Sequence, residues 1–174
     1  FAENVATLNI TGGMFVDNDL AGIRQDDFVT VGIWSGVAAY DNQTGLDIAG
    51  QITIDGAHVY DNTQTGIVAG RSALATINDS DIYGNQRGVD LHRGTLVGSR
   101  VFDNALEGVT ANVAPITLTG NTIYSNLYGL FAQAGIGTFT IANNLFYDHA
   151  TAAIRLIGAP PLAHEIVNNT IYEP

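Results

Sequence analysis

Residues 123–126 read Ile-Tyr-Ser-Asn, and Gly129-Leu130 follow a few residues later. The same phrase returns along the chain: an apolar residue, an aromatic residue, any residue and Asn, then Gly and a second apolar residue. Its Asn stands at Asn18, Asn42, Asn62, Asn85, Asn104 and Asn126, and His149 takes that place in a degenerate later copy. The intervals between these positions run from 19 to 24 residues, a period typical of a stacked solenoid, so this phrase decides the fold.

Short segments with strand character precede and follow the phrase. Residues 52–54 and 116–118 alternate apolar and polar side chains, and residues 45–48 and 88–91 do the same after the Gly. Hairpins do not fit such short, regular spacing, so each strand is predicted to pair in parallel with its equivalent one coil further on. The chain is therefore predicted to be all-β, with about seven to eight coils of roughly 22 residues and three short strands per coil.

Two columns of inward-facing residues follow from this winding. One is predicted to hold Ile23, Leu46, Ile67, Val89, Val109, Leu130 and Ile154, and the other Phe15, Ala39, Val59, Ile82, Val101, Ile123, Phe146 and Ile171. A single coil cannot bury its own apolar face, so stability is expected to come from neighbouring coils.

The phrases NTIYSN, SDIYGN, NNLFYD and NNTIY resemble the right-handed parallel β-helix repeats of the pectate-lyase-like superfamily. The resemblance covers essentially the whole chain, and it implies a single-stranded right-handed β-helix over residues 1–174 as one domain. Because Phe1 opens in the middle of the repeat pattern, the chain is expected to be part of a longer repeat protein. The resemblance does not imply one activity. The superfamily includes polysaccharide lyases, glycoside hydrolases, uronate epimerases, phage tailspikes and surface proteins with no known reaction.

Charge excludes several classes of partner. The net charge is −11, with six Arg and no Lys, and such a surface repels nucleic acid phosphates and anionic membranes. It also disfavours acidic polysaccharides unless a cation bridges them. No apolar run approaches the roughly 20 residues of a membrane span, so neither nucleic acid binding nor membrane insertion is expected.

The repeated columns have structural interpretations. The six Asn are expected to form a ladder at a corner, because stacked Asn side chains can bond to each other and to turn backbone. The aromatic column, from Tyr40 to Tyr172, is expected to stack, with glycan contact as the alternative. The Gly column is expected to supply backbone freedom at the corner before the third strand.

Outward positions of the third strand provide the candidate site. One outward column is predicted to read Arg24, Asp47, Val68, Asp90, Thr110, Phe131 and Arg155. Asp90 and His92 point the same way, Arg93 stands at the strand end, and Asp47 lies two coils away, on the order of 10 Å. These four residues could abstract a proton beside a uronate carboxylate and neutralise that carboxylate, or they could form an ordinary surface ion pair.

Two further predictions concern ligands. Tyr128 and Phe131 are candidates for contact with a glycan. Acidic stretches occur at residues 17–19, 26–27 and 78–81, and they could bind calcium or could be solvated acidic turns. No other cofactor or metal is expected.

Two functions remain. The first is a non-catalytic structural or adhesive segment of an extracellular or cell-surface protein that binds glycans or assembles end to end. The second is a polysaccharide lyase or uronate epimerase acting on an acidic polysaccharide.

Overall fold

A computed structural model of the protein describes residues 6–26, 30–113, 115–133, 138–158 and 164–173. These residues form 23 β-strands and contain no helix. The strands build three sheets, and each coil contributes one strand to each sheet. The predicted parallel β-helix is confirmed, with seven strands in the third sheet and eight in each of the other two.

The strands are named in chain order and grouped by sheet. The first sheet contains β1 (Ile10–Thr11), β4 (Val31–Ser35), β7 (Gln51–Asp55), β10 (Ala75–Asn78), β13 (Gly94–Val97), β16 (Ile116–Thr119), β19 (Phe139–Ala142) and β22 (Glu165–Val167). The second contains β2 (Met14–Val16), β5 (Ala38–Tyr40), β8 (His58–Tyr60), β11 (Asp81–Tyr83), β14 (Arg100–Phe102), β17 (Thr122–Tyr124), β20 (Leu145–Tyr147) and β23 (Thr170–Tyr172). The third contains β3 (Ala21–Gln25), β6 (Thr44–Ile48), β9 (Thr65–Ala69), β12 (Arg87–Leu91), β15 (Glu107–Ala111), β18 (Tyr128–Gln133) and β21 (Ala152–Ile157).

Register between coils is strict. Leu46 pairs with Ile67, which pairs with Val89, and the same column continues to Ile154. The column of Phe15 likewise runs without a slip to Ile171. Both predicted inward columns are thus confirmed, and between the end coils their members are almost fully buried in one continuous core.

Left-handed backbone marks the corner after the second strand of each coil. The residue between the aromatic residue and the Asn has φ between 53° and 67° in each copy of the phrase, and it is Asp in five of the seven copies. Asp and Gly tolerate this conformation better than most residues, which explains why the sequence varies there only among Asp, Gly and Ser.

Glycine is required in the Gly column for a physical reason other than the one predicted. From Gly22 to Gly129 these residues lie outside the left-handed region, so backbone freedom at a corner is the wrong explanation. A Cβ atom at any of them would come closer than 3.0 Å to a carbonyl oxygen of the next coil. Glycine is therefore required by close approach between coils. Ala153 replaces it on β21, the last strand of the third sheet among the described residues.

The six Asn of the phrase form a continuous ladder. At each step the backbone N–H and the Nδ2 of one Asn both donate to the Oδ1 of the next, at 2.8 to 3.1 Å. From Asn42 onward the members are buried. From Asn42 onward each Nδ2 also donates to the carbonyl of the aromatic residue two positions earlier, so the ladder satisfies the polar groups of the corner.

A second ladder occupies the corner between the first and second sheets. Its side chains accept backbone N–H groups from the preceding coil at 2.9 to 3.2 Å, and they are Ser80, Ser99, Asn121, Asn144 and Asn169. Sequence analysis missed it because its residue type changes along the chain, and the two preceding coils place Val37 and Ala57 there instead.

The aromatic column stacks as predicted. Neighbouring rings from Tyr40 to Tyr147 lie 4.7 to 5.1 Å apart with interplanar angles of 1° to 11°. Because the rings cover one another, each offers mainly its edge to solvent, which leaves no free ring face for a sugar inside the stack.

His149 ends the Asn ladder imperfectly. Its Nδ1 accepts the backbone N–H of Asn126 at 3.4 Å, longer than any step between two Asn residues, and its buried Nε2 has no partner among the described residues. Burial lowers the pKa of His149, and the nearby Glu173 carboxylate only partly opposes this shift.

Restoring Asn at this position should stabilise the protein. His149→Asn is expected to raise the free energy of unfolding by about 1 kcal/mol, because the ladder regains an acceptor of the right reach and loses a buried unpaired donor. The pKa of His149 is lower in the folded than in the unfolded state, so the unfolded chain binds more protons, and wild-type stability falls as the pH drops below about 6.5. The variant should lose less stability over that interval. Urea unfolding followed by circular dichroism, above and below this pH, measures both effects.

The reciprocal change serves as the control. Asn85→His places an imidazole in the middle of the ladder and is expected to destabilise the chain by about 2 kcal/mol. A His149→Asn variant less stable than the wild type would contradict this account of the ladder.

Candidate functional site

The outer face of the third sheet carries the predicted outward column. Arg24, Asp47, Val68, Asp90, Thr110, Phe131 and Arg155 are register partners in that order, one on each strand. Successive coils thus bring side chains far apart in sequence to roughly 4.8 Å spacing along the helix axis.

Asp90 lies at the centre of this face, on β12. Its Oδ1 accepts a hydrogen bond of 2.7 Å from Nδ2 of Asn112, one coil further on, and lies 4.0 Å from Nε2 of His92. The carboxylate is 27% exposed and the imidazole 18% exposed. Burial raises the pKa of Asp90, while His92 and the bond from Asn112 hold it down.

A shallow depression opens beside Asp90. It has a volume of about 340 Å³ and is lined by Arg87, Asp90, Glu107, Thr110, Asn112 and Phe131. These six residues together with His92 are called the outer-face site below. Arg87 and Glu107 form an ion pair across it, with 2.8 Å between Nε and Oε2.

Two buried polar atoms of the outer-face site lack partners. They are Nδ1 of His92 and Oγ1 of Thr110, two of only four such side-chain atoms among the described residues. Most buried polar groups in proteins are hydrogen-bonded, so these two atoms are exceptions, but both are shielded from solvent and offer no bond to a ligand at the surface.

Tyr128 and Phe131 come together on β18. Their ring centroids lie 6.0 Å apart at an interplanar angle of 65°, and this aromatic pair borders the depression through Phe131. The guanidinium of Arg155 lies 5.3 Å and 5.2 Å from the two ring centroids, and its Nη1 donates to the Tyr128 hydroxyl at 2.9 Å.

The other two predicted candidates lie apart from the depression. Arg93 follows the end of β12 as an exposed residue and does not line it. Asp47 stands two register steps from Asp90 and lies 3.7 Å from Arg24, whose Nε also binds Asp26 at 2.6 Å. Burial raises the pKa of Asp47, opposed by Arg24. The structure therefore brings Asp90 and His92 together, but not Asp47 or Arg93.

Sequence analysis missed Arg87, Glu107 and Asn112 as members of the site. Arg87 and Glu107 are the first residues of β12 and β15. Each stands directly before the Gly of the repeat phrase, at a position where the phrase specifies no residue type. Asn112 follows the end of β15, and only its hydrogen bond to Asp90 reveals its role.

Two observations concern ions and membranes. Within the described ranges, no three His, Asp or Glu side chains converge in a way that could hold a metal ion, and Asp27 of the acidic stretches lies outside those ranges. The calcium interpretation stays a prediction. In the same part of the chain, no helix has the length and hydropathy needed to span a bilayer.

The chain belongs to the right-handed β-helix family, whose model matches residues 3–171. A solved structure with a similar fold is that of the periplasmic alginate epimerase AlgG, with a TM-score of 0.70 and 17% sequence identity. The similarity covers 91% of this chain but 43% of that one, so the chain spans less than half the length of that enzyme, and the likeness concerns the fold. No curated protein sequence matches this chain.

Proposed function

We propose that this chain is a non-catalytic, glycan-contacting segment of an extracellular or cell-surface β-helical protein, and that the outer-face site with its aromatic pair is the contact surface. One observation carries the proposal: the aromatic ring of Phe131 and the hydrogen-bonded side chains around Asp90 line the same shallow depression. Sugars present both apolar C–H faces and hydroxyl groups, so a site that offers a ring beside donors and acceptors matches their chemistry.

The shape of the site supports binding along a chain rather than enclosure of a small molecule. The depression is open, and the column that crosses it contributes one outward residue from every coil. A polymer lying along the axis would meet Asp90, Thr110 and Phe131 in turn. The periplasmic location of the structural neighbour is consistent with a location outside the cytoplasm.

The chemistry of the site supports a non-catalytic role. Glu107, the second carboxylate at the depression, is held by Arg87 at 2.8 Å. The nearest imidazole nitrogen lies 4.0 Å from Asp90, beyond hydrogen-bond reach. A pair of carboxylates that act as general acid and general base on either side of a glycosidic bond, as glycoside hydrolysis requires, is not formed by these residues.

Removing the aromatic edge should abolish most of the binding. Phe131→Ala is expected to weaken glycan affinity by about tenfold or more, because an aromatic anchor at the centre of a contact supplies much of its free energy. A glycan array identifies ligands of the wild type, and calorimetry on the best ligand compares the two proteins.

Val68→Ala is the matched control. Val68 belongs to the same outward column but lies three register steps from Phe131, so its loss should leave affinity unchanged. Fluorescence of Trp34, a fully buried core residue, verifies that both variants fold. An array without ligands, or equal affinity for Phe131→Ala and wild type, would reject the proposal.

A lyase or epimerase acting on an acidic polysaccharide is the second candidate. It is favoured by one observation: the raised pKa of Asp90 beside His92, since a carboxylate made more basic by burial is a better proton acceptor. The structural neighbour, an alginate epimerase, shares the fold at 17% identity.

Turnover separates the two candidates. Under the enzymatic hypothesis Asp90→Asn should lower kcat on a uronate polymer by at least about a hundredfold, because the proton acceptor is removed. Under the binding proposal neither protein turns over alginate or polygalacturonate, as followed by ultraviolet absorbance for lyase products and by NMR for epimerised residues. Wild-type turnover that Asp90→Asn eliminates would replace the binding proposal.

End-to-end association is a further part of the proposal. Among the described residues, nine of the twelve exposed large hydrophobic side chains lie on or beside the end strands of the three sheets. Ile166 and Ile171 occupy inward positions, in register with Ile141 and Phe146, and are exposed, with no strand of the described residues lying over them. A second copy that continues the same register would bury them.

Sedimentation velocity tests this association. The wild-type sedimentation coefficient should rise with concentration, and Ile171→Lys should keep the protein monomeric, because an ammonium group would be buried at the junction. Leu74→Lys, an exposed leucine on the side of the helix, is the control and should still associate. A wild-type coefficient that stays at the monomer value over the whole concentration range would exclude association.

A further inference from the structure

We infer that the outer-face site selects uncharged glycans and rejects uronates, an inference that rests on the proposed function and names its ligand class. The reasoning concerns which charges near the depression are free to act on a ligand. A site for an acidic polysaccharide needs a cation that is available to each carboxylate of the polymer. This site offers instead the carboxylate of Asp90, which has no arginine partner among the described residues.

Asp90 supplies the first part of the argument. Its carboxylate lines the depression, and its neighbour in the bond network, Asn112, is a neutral amide. The next outward charge toward the first coil is also acidic, Asp47, with the apolar Val68 between them. An acidic polymer lying along this column would place its own carboxylates beside groups of like charge, and like-charge contacts disfavour binding.

The arginines near the face supply the second part. Arg87 is neutralised by Glu107 inside the depression, and Arg24 by Asp26 and Asp47. Arg155 lies over both rings of the aromatic pair and donates to Tyr128. Arg93 has no such partner among the residues that the structure describes, but it does not line the depression. The cations in contact with the site are thus engaged by the protein itself.

The overall charge acts in the same direction. A net charge of −11 surrounds the whole surface with a negative potential, which repels a polyuronate before contact. Sugar hydroxyls can instead donate to the carboxylate oxygens of Asp90, which line the depression and are partly exposed. A neutral glycan satisfies these groups without electrostatic penalty.

The experiment compares matched ligands. Neutral hexasaccharides of glucose, xylose and mannose, and hexauronates of galacturonate and mannuronate, are titrated by calorimetry at low ionic strength, with EDTA present so that no divalent cation bridges the charges. The wild type is expected to bind at least one neutral ligand at least about tenfold more tightly than any uronate. Asp90→Asn is expected to raise uronate affinity about three- to tenfold, and Glu107→Gln, which frees Arg87, to do the same.

Control variants and outcomes separate this inference from the proposed function. Arg93→Ala, at a residue that does not line the depression, should leave the ratio of neutral to uronate affinity unchanged. Uronates binding more tightly than neutral ligands, or uronate binding that Arg93→Ala removes, would overturn the inference while leaving glycan binding in place. Binding of neither series would reject the proposed function itself, and the inference with it.

Discussion

The in-register contact between one coil and the next is the constraint on which the rest of the structure depends. Two features enforce it where the coils come closest. At the glycine positions the next coil lies too near for a Cβ atom, and at each step of the Asn ladder one Oδ1 accepts two hydrogen bonds from the neighbouring coil. A slip of one residue would break both at once and turn the core columns outward. The ladder therefore stabilises the coil stack and also fixes its register.

Strict register explains how the chain can carry a site with no cleft of its own. Because each outward column takes one residue from every coil, a cluster such as Asp90, Asn112 and Phe131 is assembled by stacking, without loops folding over it. The scaffold residues, Asn and Gly, lie at other positions of the repeat from the outward residues of the third strand. Those outward positions can change from coil to coil, from Asp to Val, Thr, Phe and Arg, without disturbing the core.

The fold could be predicted from sequence almost completely, because the same residue types recur wherever the same physical demand recurs. The inward columns, the outward column and the aromatic stack all follow from period and alternation. Two features could not be predicted: the physical reason for the Gly column, and the residues that surround Asp90. The close approach at Gly45 or Gly88 cannot be told from conformational freedom without the distance to the next coil. Three residues around Asp90 were missed: Asn112, Arg87 and Glu107. The residue type at their positions differs from coil to coil, so only the register between coils shows that they meet.

The same independence of site and scaffold bears on what this face can recognise. Core and ladder fix where side chains stand, but only the charges placed there decide the ligand. In this chain the arginines that reach the face are each engaged, Arg87 by Glu107 and Arg155 by the aromatic pair, while Asp90 keeps its acceptors toward solvent. A similar fold in an alginate epimerase thus gives no reason to expect an acidic ligand here. The charge arrangement of the outer-face site is the more direct evidence, and it favours sugars without carboxylates.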